Sequence, residues 1–406
     1  MAFLFLALLC CLFTPSDSEV AEAILPFLYE EFGNPSSSHF YGKKAKLAVE
    51  NARREVALLI GCKADEVVFT SGGTESNNWA IRCGAQANSR MKGKHLVTSS
   101  IEHPAVSEVI NHLCQNEGFC KTVVPVDLEG RVDAEAVVKV ATADLETSLV
   151  SIMHANNEVG SLQPIAEIAA SLRGKGILVH TDASQSVGKI PINWRTLGVD
   201  LLTIAGHKLY GPKGVGALII RRGVILPKFM LGAGHESGRR AGTENVALIV
   251  GLGKACEVAR KGLDRNMRRS RAMRDRLLEK LEDALPGLRC RGDDIELSRI
   301  DFRVNGPADP EKQLPNTLSV SFKGVDGVKL MAAISPFVAC SSGSACHAGH
   351  VAVSPVLAAM GVPAEYAQCT LRLSMGRETT RTDVDTAAEV IMSHIKSLFP
   401  SGVTCT

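Results

Sequence analysis

The sequence predicts an α/β protein, with a mainly parallel sheet covered on both faces in a large domain and a smaller α+β domain after it. Three observations carry this expectation. Short apolar runs rich in branched residues alternate with helix-length amphipathic stretches. A polar cluster follows each such run, where open α/β sheets bind ligands. After about Gly253 the texture changes to a long, charge-laced helical pattern. The 406 residues exceed a single small core and suit one large and one smaller domain.

Taken in order, Glu66 to Thr70 reads as a strand leading into Ser71-Gly72-Gly73-Thr74-Glu75-Ser76-Asn77-Asn78. His95 to Ser99 leads into Glu102-His103-Pro104, and Ser148 to His154 leads into Asn156-Asn157-Glu158. Ile177 to Thr181 ends at Asp182-Ala183-Ser184-Gln185, and Leu201 to Ile204 ends at Gly206-His207-Lys208. Gly216 to Ile220 is a further strand. Asp264 to Leu285 is expected to be one helix, stopped by Pro286-Gly287. Strands over Asn316 to Phe322 and Leu371 to Ser374 follow, then a terminal helix from Arg381 to Leu398. The expected division is residues 1–15 as an atypical apolar segment, 16–262 as the large domain and 263–406 as the small one.

Composition narrows the function classes. Hydrophobic residues make up 45% and charged residues 22%, as in ordinary globular proteins. Lys+Arg 45 against Asp+Glu 43 leaves +2 without a basic stripe, so no nucleic-acid groove is indicated. The 12 cysteines lack a metal-ligand rhythm and suit reduced thiols. Zinc on Cys340, Cys346, His347 and His350 is disfavoured for the same reason, and no metal is expected. The apolar run Met1 to Phe13 has signal-peptide length but no basic start and no clear cleavage site, and it is too short to span a bilayer. An intracellular site, cytoplasm or organelle, is expected, with no membrane partner.

The polar clusters form a chemical set. A lysine at the mouth of a buried strand, here Lys208, can become nucleophilic and hold a carbonyl cofactor as a Schiff base. Ser71 to Thr74 is a glycine-rich turn whose amides can approach an anion; its alternative is a tight turn with a Ser/Thr cap. Asp182 is a carboxylate that burial penalises unless a cation pairs with it; its alternative is a helix cap. His103 follows a strand and could stack on a ring. Pyridoxal 5'-phosphate needs a lysine for its aldehyde, a carboxylate for its pyridine nitrogen and a cradle for its phosphate. Lys208, Asp182, Gly73, Thr74 and His103, with Gln185 or Asn157 at the ring hydroxyl, supply that set. A second cluster, Cys340-Ser341-Ser342-Gly343-Ser344-Ala345-Cys346-His347, is loop-like, and Cys346 is its candidate nucleophile. Cys340 reads instead as a buried strand residue.

With these residues in view, the chain resembles the pyridoxal-phosphate-dependent cysteine desulfurases and the related selenocysteine lyases. Matching motifs include Phe32-Gly33-Asn34-Pro35-Ser36-Ser37, the SGGTESNN turn, Glu102-His103, MHANNEVG from Met153, HTDASQSVGK from His180 and GHKLYGPKGVG from Gly206. They continue through Arg239-Arg240-Ala241-Gly242-Thr243-Glu244-Asn245, Pro315-Asn316-Thr317, SSGSAC ending at Cys346 and Leu371-Arg372-Leu373-Ser374. The resemblance implies fold type I of the class V aminotransferase-like enzymes, with a sheet of the seven-stranded type and a homodimer. It implies that Lys208 binds the cofactor and moves the substrate α-proton, while His103 stacks on the ring as acid/base. Asp182 would hold the pyridinium, and Gln185 and Asn157 the ring oxygen. Gly73, Thr74 and His207, with Thr243 from the partner subunit, would bind the phosphate. Arg372 would grip the substrate carboxylate.

Cys346 would take sulfur from L-cysteine as a persulfide, leave L-alanine and serve a sulfur-acceptor protein. Two departures stand out. Met1 to Phe13 replaces the usual first strand and its Asp-Asn-Ala-Thr-Thr-like turn, and Ala205 stands where many desulfurases have serine. Ala205, Cys346-His347 and Ser354 to Leu357 are similar to selenocysteine lyases, so release of selenide from L-selenocysteine is the alternative chemistry. A non-catalytic homologue lacking the first turn is the other alternative.

Overall fold

The computed structural model describes residues 16–143, 146–284, 301–342, 346–347, 350–351 and 353–398. Seven strands form the main sheet: β1 Val67–Thr70, β2 His95–Ser99, β3 Cys120–Val124, β4 Thr147–Ser151, β5 Leu178–Asp182, β6 Leu201–Ala205 and β7 Gly216–Ile220. Their spatial order is β1-β7-β6-β5-β4-β2-β3. The pairs from β6 through β3 are parallel, and β7 runs antiparallel between β1 and β6. β1 therefore points the same way as β6. The carboxyl ends of β1, β2, β4, β5 and β6 open on one edge of the sheet, which is where such sheets hold ligands.

Mostly apolar β1, β6 and β7 are buried at every residue, as is β4, whose Leu149 and Val150 stand among buried hydroxyl side chains. Helices cover both faces, among them Phe40–Ile60, Pro104–Asn116 and Ile165–Leu172. Gly61 ends the first of these at φ 77°, a left-handed C-cap that glycine adopts without a Cβ clash. β3 escapes the sequence reading because it is an edge strand. Only Val124 of its residues is buried, so no apolar run announces it.

The second sheet comprises β8 Phe302–Asn305, β9 Thr317–Phe322, β10 Ser341–Ser342 and β13 Thr370–Ser374, in the order β10-β13-β9-β8. A two-residue ladder, β11 Cys346–His347 with β12 His350–Val351, stands beside it in sequence. The terminal helix Arg381–Leu398 has the expected bounds. The helix expected from Asp264 begins 18 residues earlier, as the 38-residue helix Val246–Asp283. Glycines there disguise it in the sequence. A Cβ on Gly253 would stand 2.5 Å from Ala52 Cα, so that glycine admits helix Phe40–Ile60 at close range. The helix crosses the expected boundary at 262/263. Up to Ala259 it packs into the core under the main sheet, and from Met273 it packs into the core of the second sheet.

Among the described residues no helix is long and apolar enough to cross a membrane. Cys340 is corrected: it is half-buried just ahead of β10, with its Sγ 3.6 Å from Met331 Sδ, not a strand residue. Cys346 is corrected in backbone only, since it lies in a two-residue strand rather than an unpaired loop. Its side chain falls outside the described residues.

Burial also sets a pH dependence. His180, fully buried on β5, shares Ser151 Oγ at 2.8 Å and Thr203 Oγ1 at 3.1 Å, and desolvation lowers its pKa to about 4. Desolvation likewise lowers His154 to about 4 and lowers His95. The unfolded chain therefore binds more protons below the ordinary histidine value of 6.5, and stability falls as pH drops through it. For His180 the loss by pH 4 is at most about 3 kcal/mol. Glu102 acts oppositely: burial raises it to about 8, so its contribution is lost as pH rises from 4.5. Urea midpoints are expected to peak near pH 6.5 and to decline by pH 4.5. A flat profile between those values would contradict neutral buried histidines.

Candidate active site

One cleft of about 280 Å³ opens at the shared carboxyl edge. The segment after β1 gives Gly73 and Thr74, that after β2 gives His103, and that after β4 gives Met153 and Asn157. The end of β5 gives Asp182, Ser184 and Gln185, and the end of β6 gives Ala205, His207 and Lys208. Arg372 reaches in from β13 of the second sheet. Residues expected at a cofactor from the sequence thus line one cavity. Thr243 does not: it is exposed and lines a second cavity with Ser71, Arg240 and Gly242.

Each position has a local cause. Lys208 lies in the single turn Gly206–Lys208 that follows β6 before the chain reverses into antiparallel β7. A Cβ on Gly206 would fall 2.8 Å from Val215 O, so only glycine lets that turn close. Gly73 begins helix Gly73–Asn78 with Gly72 at its cap and no capping side chain, so the alternative reading of this turn, a Ser/Thr cap, is absent. His103 caps helix Pro104–Asn116, its Nδ1 accepting from Ala105 N at 3.1 Å. In the neutral ring the proton therefore sits on Nε2. Desolvation lowers the His103 pKa; Asp182 opposes the shift and the Lys208 charge adds to it.

Asp182 is buried, and its Oδ1 accepts from Ser184 N at 2.9 Å. Its Oδ2 accepts from Asn77 Nδ2 at 2.7 Å. Among the described residues no lysine or arginine forms an ion pair with it. A buried carboxylate so arranged suits a protonated ring nitrogen. Asn77 was missed by sequence reasoning, although it stands one helical turn after Thr74 inside the SGGTESNN motif.

Arg372 is buried, donating from Nη1 to Asn157 O at 3.0 Å and from Nη2 to Ser341 Oγ at 2.9 Å. Its fork thus joins the β4 segment to the start of the chain that carries Cys346. Glu158 lies nearby, its pKa raised by burial, with Ser354 Oγ donating to its Oε2 at 2.6 Å. Beneath His103, Glu102 accepts from Ser99 Oγ and from Met153 N at 3.0 Å, tying the ends of β2 and β4 together.

The sequence pattern of the aminotransferase class-V family matches residues 14–386. The chain belongs to that family. Over 386 residues it is 44% identical to the cysteine desulfurase IscS of Dictyoglomus turgidum, covering 95% of this chain and 93% of that protein. A cysteine desulfurase of Trichormus azollae is 40% identical over 391 residues, covering 95% and 92%. Among solved structures, a NifS-like protein superposes with TM-score 0.84 at 36% identity, covering 96% of this chain and 98% of that one. DndA from Streptomyces lividans gives TM-score 0.73 at 37% identity, covering 89% and 98%.

Pyridoxal phosphate is the cofactor of these enzymes, and the cleft fits it. Among the described residues no lysine or arginine is ion-paired with its carboxylate, Asp182; no side chain caps its turn at Gly73; and Lys208 stands on its wall. A Cβ on Gly73 would meet Ala205 Cβ and Ser184 Oγ, each at 3.2 Å, so a side chain there would crowd the cradle. Asp182→Asn tests the ring contact. A neutral amide stabilises a protonated ring nitrogen poorly, so exchange of the substrate α-proton is expected to fall about 10²-fold or more while phosphate-anchored binding persists. Exchange at the parent rate would remove Asp182 from that role.

Proposed function

We propose that the protein is a pyridoxal-phosphate-dependent cysteine desulfurase. It converts L-cysteine to L-alanine and takes the sulfur onto Cys346 as a persulfide. The observation that carries this reading is the convergence of Lys208, Asp182, His103, Gly73 and Arg372 on one cleft. The names of the relatives above favour cysteine over selenocysteine as substrate.

When bound, the cofactor supplies an electron sink for the pair left at the substrate α-carbon. Lys208, on the cleft wall, would hold the cofactor through its Nζ and is the amine placed to move the substrate α-proton. His103, which lines the cleft, would stack on the cofactor ring, and its Nε2 is the atom available for proton exchange, because Nδ1 is engaged with Ala105 N. Asp182 would hold the protonated ring nitrogen, with Asn77 keeping the carboxylate in place. Gln185 and Asn157, both on the cleft wall, would meet the ring oxygen. Gly73, Thr74 and His207 would take the phosphate, with Thr243, which lines a different cavity in its own chain, contributed by a partner subunit. Arg372, a guanidinium on the cleft wall, would take the substrate carboxylate.

The transfer balances without an external oxidant. The substrate C–S bond breaks as a bond forms between that sulfur and Cys346 Sγ, and alanine leaves with a proton added at Cβ. The persulfide sulfur then passes to an acceptor protein. Purified protein is expected to release alanine from L-cysteine in proportion to time and enzyme. Alanine from L-selenocysteine alone would replace the substrate assignment, and alanine from neither would refute the reading.

A further inference from the structure

We propose that Arg240 is an electrostatic positioning residue: by neutralising Glu75 it lets the Ser71–Thr74 turn accept a phosphate dianion. The proposal rests on the reading that this cleft holds pyridoxal phosphate with its phosphate at Gly73 and Thr74.

Glu75 stands in the first turn of the helix that begins at Gly73, and its side chain is 8% exposed. Its Oε2 accepts from Ser71 N at 2.8 Å, so this carboxylate closes the turn. An acidic group two residues beyond Gly73 carries the same sign as a bound phosphate and competes for the same amide potential. Protonation does not remove the conflict. Burial raises the Glu75 pKa, but the Arg240 and Ser71 hydrogen bonds outweigh it and hold the group below the usual range.

Arg240 resolves the conflict with a fork, Nε to Oε1 at 2.9 Å and Nη2 to Oε2 at 3.1 Å. Its own loop is fixed by a second fork of opposite polarity four residues earlier. Arg53 donates to the two oxygens of buried Glu236 at 2.8 and 2.7 Å, and Phe69 N adds a bond at 2.9 Å. Neither Glu75 nor Arg240 lines the cofactor cleft. Their influence is therefore on the charge and shape of the turn, not on direct contact.

The test uses the full chain freed of cofactor and titrated with pyridoxal phosphate and with pyridoxal, which lacks the phosphate, following absorbance and equilibrium dialysis. Arg240→Met is expected to weaken pyridoxal phosphate about tenfold or more, as for one uncompensated charge nearby, and to leave pyridoxal within about twofold. Glu75→Gln removes the opposing charge and is expected to hold or tighten pyridoxal phosphate, a direction that misfolding cannot mimic. The double variant is expected within about threefold of the parent, since the offending charge is gone. Equal weakening of both ligands by Arg240→Met, a weaker Glu75→Gln, or a double variant as poor as Arg240→Met would overturn the proposal. A parent that binds pyridoxal as tightly as pyridoxal phosphate would instead refute the phosphate site itself, and the proposal with it.

Discussion

Lys208→Ala is expected to abolish covalent attachment of pyridoxal phosphate and to cut alanine release from L-cysteine by about 10²–10⁴-fold or more, the range of a lost acid–base group. The geometry leaves Lys208 without a substitute. It alone among the lysines lines the cleft with Asp182 and Gly73. Lys189 spends its Nζ on Gln185 Oε1 at 2.8 Å, and Lys213 is exposed beyond the turn. The variant should fold, because the turn depends on Gly206 and on β6–β7 pairing rather than on the lysine stem. Borohydride reduction of the parent followed by peptide mapping should place the pyridoxyl group on Lys208. Finding it on Lys213 or Lys189 would refute the assignment.

Cys346→Ala should separate the two halves of the reaction. Lys208, His103 and Asp182 activate the substrate, whereas Cys346 only removes its sulfur. The variant is therefore expected to keep the cofactor spectrum of the parent, to bind L-cysteine and to exchange its α-proton, yet to release alanine from it about 10³-fold more slowly or less. Cys340→Ala is the control. Cys340 touches Met331 and does not line the cleft, so its loss should act through packing alone, at about 1–2 kcal/mol of stability. Alanine release that survives in the Cys346 variant and fails in the Cys340 variant would exchange their roles.

Much of the fold was legible because its strands are buried on both faces and read as apolar runs. The site was legible for a related reason. Polar residues that end those runs sit at strand carboxyl ends, so Gly73, His103, Asp182 and Lys208 could be gathered from spacing before any geometry was known. What resisted reading depends on long-range packing. Edge strand β3 is mostly exposed and shows no run. Helix Val246–Asp283 hides its first half behind glycines that serve close contacts with Ala52 and Ile24. Arg372 is a buried arginine on β13, and nothing local ties it to Asn157, 215 residues earlier. Only the resemblance placed it. Asn77 and the Glu75–Arg240 fork escaped because their partners lie 105 and 165 residues away in sequence.

The central claim is that sulfur leaves cysteine for the protein itself, at one named thiol. Mass spectrometry of the protein after brief exposure to L-cysteine, with proteolysis under non-reducing conditions, tests it most directly. One additional sulfur is expected on the peptide bearing Cys346, removed by reductant and absent from Lys208→Ala. An unmodified Cys346 peptide during active alanine release, or the added sulfur on Cys340 instead, would contradict it.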